Sequence, residues 1–224
     1  MGGDDKLGVV PEKVIRVGVI GDSLTAGWRG YDTYVKALID ATIEHLPNYK
    51  FFNHGVGANT STKMARRFQT DIIRKGYNEV IILGGVNDLS SGHKPETVKK
   101  NLLEMYKAAK EKGLRVIAVT ITPWGTFQDR PGNKKRFPKD VQEKTIALNQ
   151  WIREQRSKGI VHEVIDLYPK MVDKDGRSLK KEFRGDGIHP SRAGQREIGR
   201  IILQVAYGIR LDQVPPVKKP ATIR

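Results

Sequence analysis

The chain has 224 residues, 40 of them basic and 25 acidic, a net charge of +15, and no cysteine. That excludes a disulfide framework, a thiol nucleophile, an iron–sulfur cluster and any cysteine-based zinc site. With 38% hydrophobic and 29% charged residues, it reads as a single globular domain, long enough to bury a core without staples.

Residues 1–13 read as a loose N-terminal arm. The β-branched run from Val14 to Ile20 ends at Gly21 and reads as a buried strand. Tyr31 to His45 reads as a helix, with Val35, Leu38, Ile39 and Thr42 on one face. A short strand over Tyr49–Asn53 follows. Next comes a helix over Thr62–Lys75, with Gly76 as its cap. Glu79–Leu83 is a third strand. Pro95 opens a helix at its first turn, where the missing N–H costs nothing, and Val98, Leu102, Met105 and Ala109 form its stripe. Leu114–Ile121 is the fourth strand, Pro138–Arg156 a helix and Val161–Leu167 the fifth strand. Ser191 caps a last helix running to Tyr207, with Ile198, Ile201, Ile202 and Val205 facing inward. Residues 211–224 hold three prolines among basic residues and read as an extended tail.

Strands that are nearly continuous apolar runs, alternating with helices, predict a three-layer α/β/α sandwich around a parallel sheet. The domain is expected over residues 14–210. No apolar run approaches the ~20 residues of a spanning helix, and no h-region follows Met1. A cytoplasmic location is the default expectation; a secreted form whose signal had been removed would read the same way. The basic residues are spread along the chain, so a solvated surface is the first reading of the +15 charge. Peripheral contact with an anionic surface is the second, and nucleic acid is not an expected partner.

In an open parallel sheet, ligands bind outside the carboxyl ends of the strands. Four polar clusters fall there: Gly21-Asp22-Ser23-Leu24-Thr25, the run from Asn53 to Thr60, Gly84-Gly85-Val86-Asn87-Asp88, and Asp186-Gly187-Ile188-His189-Pro190. A serine nucleophile needs a base within hydrogen-bond reach, and the base needs an orienting group. Asp186 and His189, three residues apart in a glycine-containing turn, can pair carboxylate to imidazole and leave the far ring nitrogen for Ser23. Acyl transfer also needs donors where an oxyanion develops. The Ser23 backbone N–H, a backbone N–H near Gly57 and the Asn87 side-chain amide could supply three. No metal site or cofactor is expected, because His45, His93 and His162 have no partners at ligand spacing.

These four segments, in this order and each on its own loop, resemble the GDSL or SGNH hydrolases over about residues 14–207. The resemblance implies a flavodoxin-like five-stranded sheet of order 2-1-3-4-5. It also implies hydrolysis of carboxylic esters through Ser23 as nucleophile, His189 as base and Asp186 as its partner. Ser23, Gly57 and Asn87 would line the oxyanion hole. The implied substrates are small-molecule, lipid or glycan esters, as for an acyl or acetyl esterase, a lysophospholipase or a thioesterase. One position departs from the pattern. The family's second block runs Asn-x-Gly-x-x-Gly-x-Thr. Aligned without a gap on Asn53 and Thr60, its second glycine falls on Ala58, so Ala58 stands as the alternative to Gly57. No Gly-x-Ser-x-Gly elbow surrounds Ser23, which separates the chain from the larger α/β-hydrolases.

Other residues have plainer readings. Asp22 and Asp88 read as structural acceptors for loop amides, and His54 as a loop or core histidine. Asn59-Thr60-Ser61 fits a glycosylation sequon and reads as chance. The long segment Thr122–Lys139 carries Trp124, Phe127 and Phe137 among Arg130, Lys134, Lys135 and Arg136. Two readings stand: a lid or acyl-pocket wall, with Trp124 and Phe127 touching substrate, or a solvated basic excursion with aromatics tucked on the core.

Overall fold

Five parallel strands form one sheet in the order β2-β1-β3-β4-β5. They are β1 (Ile15–Gly21), β2 (Tyr49–Gly55), β3 (Glu79–Leu83), β4 (Arg115–Val119) and β5 (Glu163–Ile165). The computed structural model describes residues 13–27, 33–125 and 140–210. The arm before residue 13, Tyr31, Phe127, Phe137, the basic run at 134–136 and the tail 211–224 lie outside the described residues.

Every residue of β3 is buried, and so are Val17, Val19 and Ile20 of β1 and Val116 to Val119 of β4. Central parallel strands covered on both faces need such runs, and Val and Ile suit the pleated surface. The helices are α1 (Ser23–Ala26), α2 (Tyr34–Ala41), α3 (Ser61–Asp71), α4 (Val86–Ser90), α5 (Pro95–Glu111), α6 (Val141–Ser157), α7 (Tyr168–Met171) and α8 (Arg192–Tyr207). α2 packs against α8, α3 against α5, and α5 against α6, so helices cover both sides of the sheet. Among the described residues, no helix is long and apolar enough to cross a membrane.

Several boundaries move from their expected places. α2 starts where Thr33 Oγ1 accepts the Val35 N–H at 3.1 Å, and it stops at Ala41 instead of His45. The N–H groups of His45 and Leu46 both turn back onto the Ala41 carbonyl, and Pro47 disfavours a helical Leu46. α3 tightens after Asp71 into a 3-10 turn over Ile73–Lys75, closed by a left-handed Gly76. The one-turn helices α1, α4 and α7 have no periodic pattern to reveal them.

Two inward assignments are corrected. Ile39 is 45% exposed and Val205 41% exposed. The buried face of α2 centres on Tyr34, Val35, Leu38 and Ala41, which leaves Ile39 on its edge. The inner face of α8 swings toward Leu203 and Tyr207 at its C-terminal end. There Tyr207 packs edge-on against Tyr49 and Phe51 and turns Val205 outward.

Candidate active site

β1 ends in Gly21, and Asp22 caps the short helix that follows. Asp22 Oδ1 accepts the Leu24 N–H at 2.9 Å, which fixes Ser23 as the first helical residue. Ser23 is 5% exposed. Its Oγ lies 2.8 Å from His189 Nε2. On the other side of the ring, His189 Nδ1 lies 3.0 Å from both carboxylate oxygens of Asp186. With Nδ1 carrying its proton toward Asp186, Nε2 is left to accept from the serine hydroxyl.

The turn that brings Asp186 and His189 together is built from its own backbone. Asp186 Oδ1 also accepts the His189 N–H at 2.8 Å and the Ile188 N–H at 3.1 Å. Gly187 adopts φ +92°, a conformation that side-chain-bearing residues rarely take. Its carbonyl accepts the Gly125 N–H at 2.9 Å, which staples the turn to the segment after β4. Ser191 then caps α8 through its Oγ and the Gly194 N–H.

Asp22, adjacent to Ser23 in the chain, and Asp186, across the His189 ring from it, are pushed in opposite directions. Burial raises Asp186, but the bonds from the His189 ring and backbone, its charge, and the Ile188 N–H outweigh it. The carboxyl is held well below the usual range and is ionised at neutral pH. Asp22 is pushed up to about 7, chiefly by burial, against the Leu24 N–H and the His189 charge, with the Asp88 charge adding to the rise. Its Oδ2 is buried, with no hydrogen-bond partner among the described residues.

The glycine block closes over Ser23 from β2. Asn53 Nδ2 donates to the Thr25 carbonyl at 2.9 Å, and Asn53 Oδ1 accepts the Gly55 N–H at 2.8 Å. The approach is so close that a Cβ on Gly55 would stand 2.0 Å from the Ala26 nitrogen. Past it, Val56 N–H donates to the Gly21 carbonyl at 3.1 Å, and Asn59 N–H to the Val56 carbonyl at 3.2 Å. Between them, among the described residues, the N–H groups of Gly57 and Ala58 have no acceptor. Ala58 sits at φ +58°. From the third loop, Asn87 Nδ2 donates to the Asn59 carbonyl at 3.0 Å, which leaves its second amide hydrogen available.

Ser23, Asp186, His189, the 57–58 backbone and Asn87 thus meet at one edge of the sheet. Trp124 lies on the segment that follows β4. That ring is 5% exposed, and its Nε1–H donates to Thr145 Oγ1 at 2.7 Å. Asp88 is fully buried and accepts the Ser61 N–H at 2.7 Å and the Ser61 hydroxyl at 2.8 Å. His54 is engaged with the Tyr77 hydroxyl at 2.6 Å. Among the described residues, no group of three or more His, Asp or Glu side chains is placed to hold a metal. Two contributors were given no role from the sequence: Asn59, noted within the run from Asn53 to Thr60 and as a sequon, and Arg67, one of three basic residues on α3. Their contacts cross between loops, and no spacing encodes them.

The model of the GDSL-like lipase/acylhydrolase family matches residues 19–197. Among curated proteins there is no match. Among solved structures, the chain is similar to a GDSL-like lipase from Bacteroides thetaiotaomicron, with 23% identity, a TM-score of 0.69, and coverage of 84% of this chain and 86% of that one. It is also similar to a lipase/acylhydrolase from Enterococcus faecalis, with 26% identity, a TM-score of 0.67, and coverage of 85% and 94%. With the family match spanning all four loops, the chain belongs to the GDSL-like lipase/acylhydrolase family and is a hydrolase.

Proposed function

We propose that the chain hydrolyses carboxylic esters through an acyl-enzyme on Ser23. The observation that carries this reading is the continuous line from Ser23 Oγ through both nitrogens of His189 to the Asp186 carboxylate. Ser23 Oγ attacks the ester carbonyl as its proton passes to His189 Nε2. The carbonyl electron pair moves onto oxygen. That oxyanion is received by the Ser23 N–H, a first-turn amide with no intrahelical acceptor, by the 57–58 backbone, and by the free amide hydrogen of Asn87. Collapse of the intermediate breaks the bond to the leaving oxygen, which takes the proton from His189. Water then repeats the sequence and releases the acid. Asp186 stays ionised throughout and stabilises the imidazolium.

The test is labelling with a fluorophosphonate probe, read by intact mass, for wild type and Ser23→Ala. One adduct on wild type and none on the variant is expected, with turnover of p-nitrophenyl acetate falling ~10³-fold or more in the variant. An unlabelled, folded wild type, or a variant within tenfold of wild type, sinks the assignment. Chain-length profiling from acetyl to palmitoyl esters then separates the substrate classes. Activity confined to acetyl groups points to a deacetylase. A preference for long chains assigns a lipase, lysophospholipase or thioesterase.

A further inference from the structure

We infer that Arg67 is a positioning residue for the reaction, setting the oxyanion-binding groups relative to Ser23. This rests on the reading of the 57–58 backbone and Asn87 as oxyanion donors.

The Arg67 side chain leaves α3 and is only 17% exposed. Its three nitrogens each take a different partner. Nη2 donates to the Gly21 carbonyl at 2.9 Å, two residues before Ser23. Nε donates to Asn59 Oδ1 at 2.9 Å, at the far end of the glycine block. Nη1 bonds Asp71 Oδ2 at 2.8 Å, which holds the guanidinium from its own helix.

Asn59 is the hub. Its side chain is held by Arg67, while its carbonyl accepts Asn87 Nδ2 at 3.0 Å. The Gly21 carbonyl receives both Arg67 and the Val56 N–H. One guanidinium therefore joins the serine loop and the glycine block directly, and reaches the Asn87 loop through Asn59. These are the three segments whose separation sets the width of the oxyanion hole.

The chemistry requires an arginine. A planar fork can serve three acceptors lying in different directions while staying charged. A lysine ammonium offers three donors on one atom and cannot span Gly21 and Asn59 in the same way. Arg67 does not touch the reacting atoms. Its effect passes through geometry, and misplacing oriented groups by ~1 Å can cost on the order of 100-fold in rate.

The experiment uses Arg67→Met, Arg67→Lys and Asn59→Ala in the full chain, with p-nitrophenyl acetate as probe and thermal unfolding as the check on folding. Arg67→Met is expected to lower kcat by ~30- to 100-fold with KM within about threefold. Arg67→Lys should recover only a small part of that loss. Asn59→Ala, which keeps the Gly21 and Asp71 bonds, should lower kcat in the same sense. It decides the matter if Arg67→Met fails to fold.

The deciding measurement is the cycle with Asn87→Ala. If Arg67 acts through the oxyanion hole, the double variant is much less impaired than the product of the two single losses. Multiplicative losses, or an Arg67→Lys variant equal to wild type, overturn the inference. If Asn87→Ala leaves kcat unchanged, the oxyanion reading itself fails and this inference falls with it. If Asn87→Ala is impaired while Arg67→Met and Asn59→Ala keep full kcat, only this inference fails.

Discussion

Ala58 holds a left-handed backbone, φ +58°, while the adjacent Gly57 does not, although glycine is the residue that conformation favours. The ungapped alignment on Asn53 and Thr60 puts the family's second glycine at position 58, where the backbone takes a conformation that glycine favours. The left-handed position of this turn is therefore 58 and not 57.

This gives opposite expectations for two neighbouring substitutions. A left-handed alanine costs ~1–2 kcal/mol, part of which glycine returns through its freer unfolded chain. Ala58→Gly should therefore raise stability by about 0.5–1 kcal/mol in denaturant unfolding. Gly57→Ala should be neutral or stabilising by up to ~1 kcal/mol, because a Cβ there meets nothing within 4 Å. Both keep the backbone N–H, so esterase turnover should stay within severalfold. Destabilisation by Ala58→Gly together with collapse on Gly57→Ala would place the turn one residue earlier.

Both carboxylate oxygens of Asp186 lie 3.0 Å from His189 Nδ1, and in the proposed mechanism they hold the imidazole in one tautomer. An amide at that position can present its NH₂ to the ring and reverse the tautomer. Asp186→Asn is expected to lower kcat by ~10³- to 10⁴-fold with little change in KM. A steady-state series on one p-nitrophenyl ester measures this, and a loss below tenfold would remove Asp186 from the proposed line.

Asn87 is expected to donate to developing charge. Asn87→Ala removes one donor and should cost ~10²- to 10³-fold in kcat, with KM nearly constant. A rise in KM at constant kcat would instead make Asn87 a ground-state binding residue.

Asp22 gives a pH prediction with a definite sign. Its carboxyl is pushed up to about 7 in the folded chain from an ordinary value near 3.8, with burial the leading cause. Between those values the folded state binds more protons than the unfolded state, so this group's contribution to stability falls as pH rises from about 4 to 7. Asp186 has the opposite sign. Its folded value is depressed, so its contribution is present above about pH 4 and is lost as acid protonates it. In Asp22→Asn the amide oxygen can still accept the Leu24 N–H, and no charge needs to be buried. The variant's unfolding free energy should gain on wild type steadily from pH 4 to 7, as read by urea unfolding at each pH. A constant difference across that range would mean that Asp22 does not titrate there.

Much of the fold was legible because its signals are local. β3 was read over Glu79–Leu83 and found there, since a fully buried strand is a continuous apolar run. The stripe Val98, Leu102, Met105 and Ala109 is buried as its period requires, and Pro95 opens α5 as read. Helix ends were less legible. α2 stops at Ala41 because the Thr42 and Ile43 N–H groups bond three residues back and the Leu46 N–H five residues back, ahead of Pro47, and nothing in an apolar period records that.

The sequence by itself determined which residue types stand after which strand. Ser23, Asn87 and the Asp186/His189 pair fall on one edge of the sheet because every parallel strand delivers its following loop to the same end. Only the tertiary structure decided distances between loops: that Ser23 Oγ and His189 Nε2, 166 residues apart, stand at 2.8 Å, and that Arg67 joins Gly21 to Asn59. It also turned Trp124 inward onto Thr145. The physical reason is range. Burial and period act over a few residues and are written into the order of the chain. A hydrogen bond between loops depends on how whole strands and helices settle against one another, which no local pattern specifies.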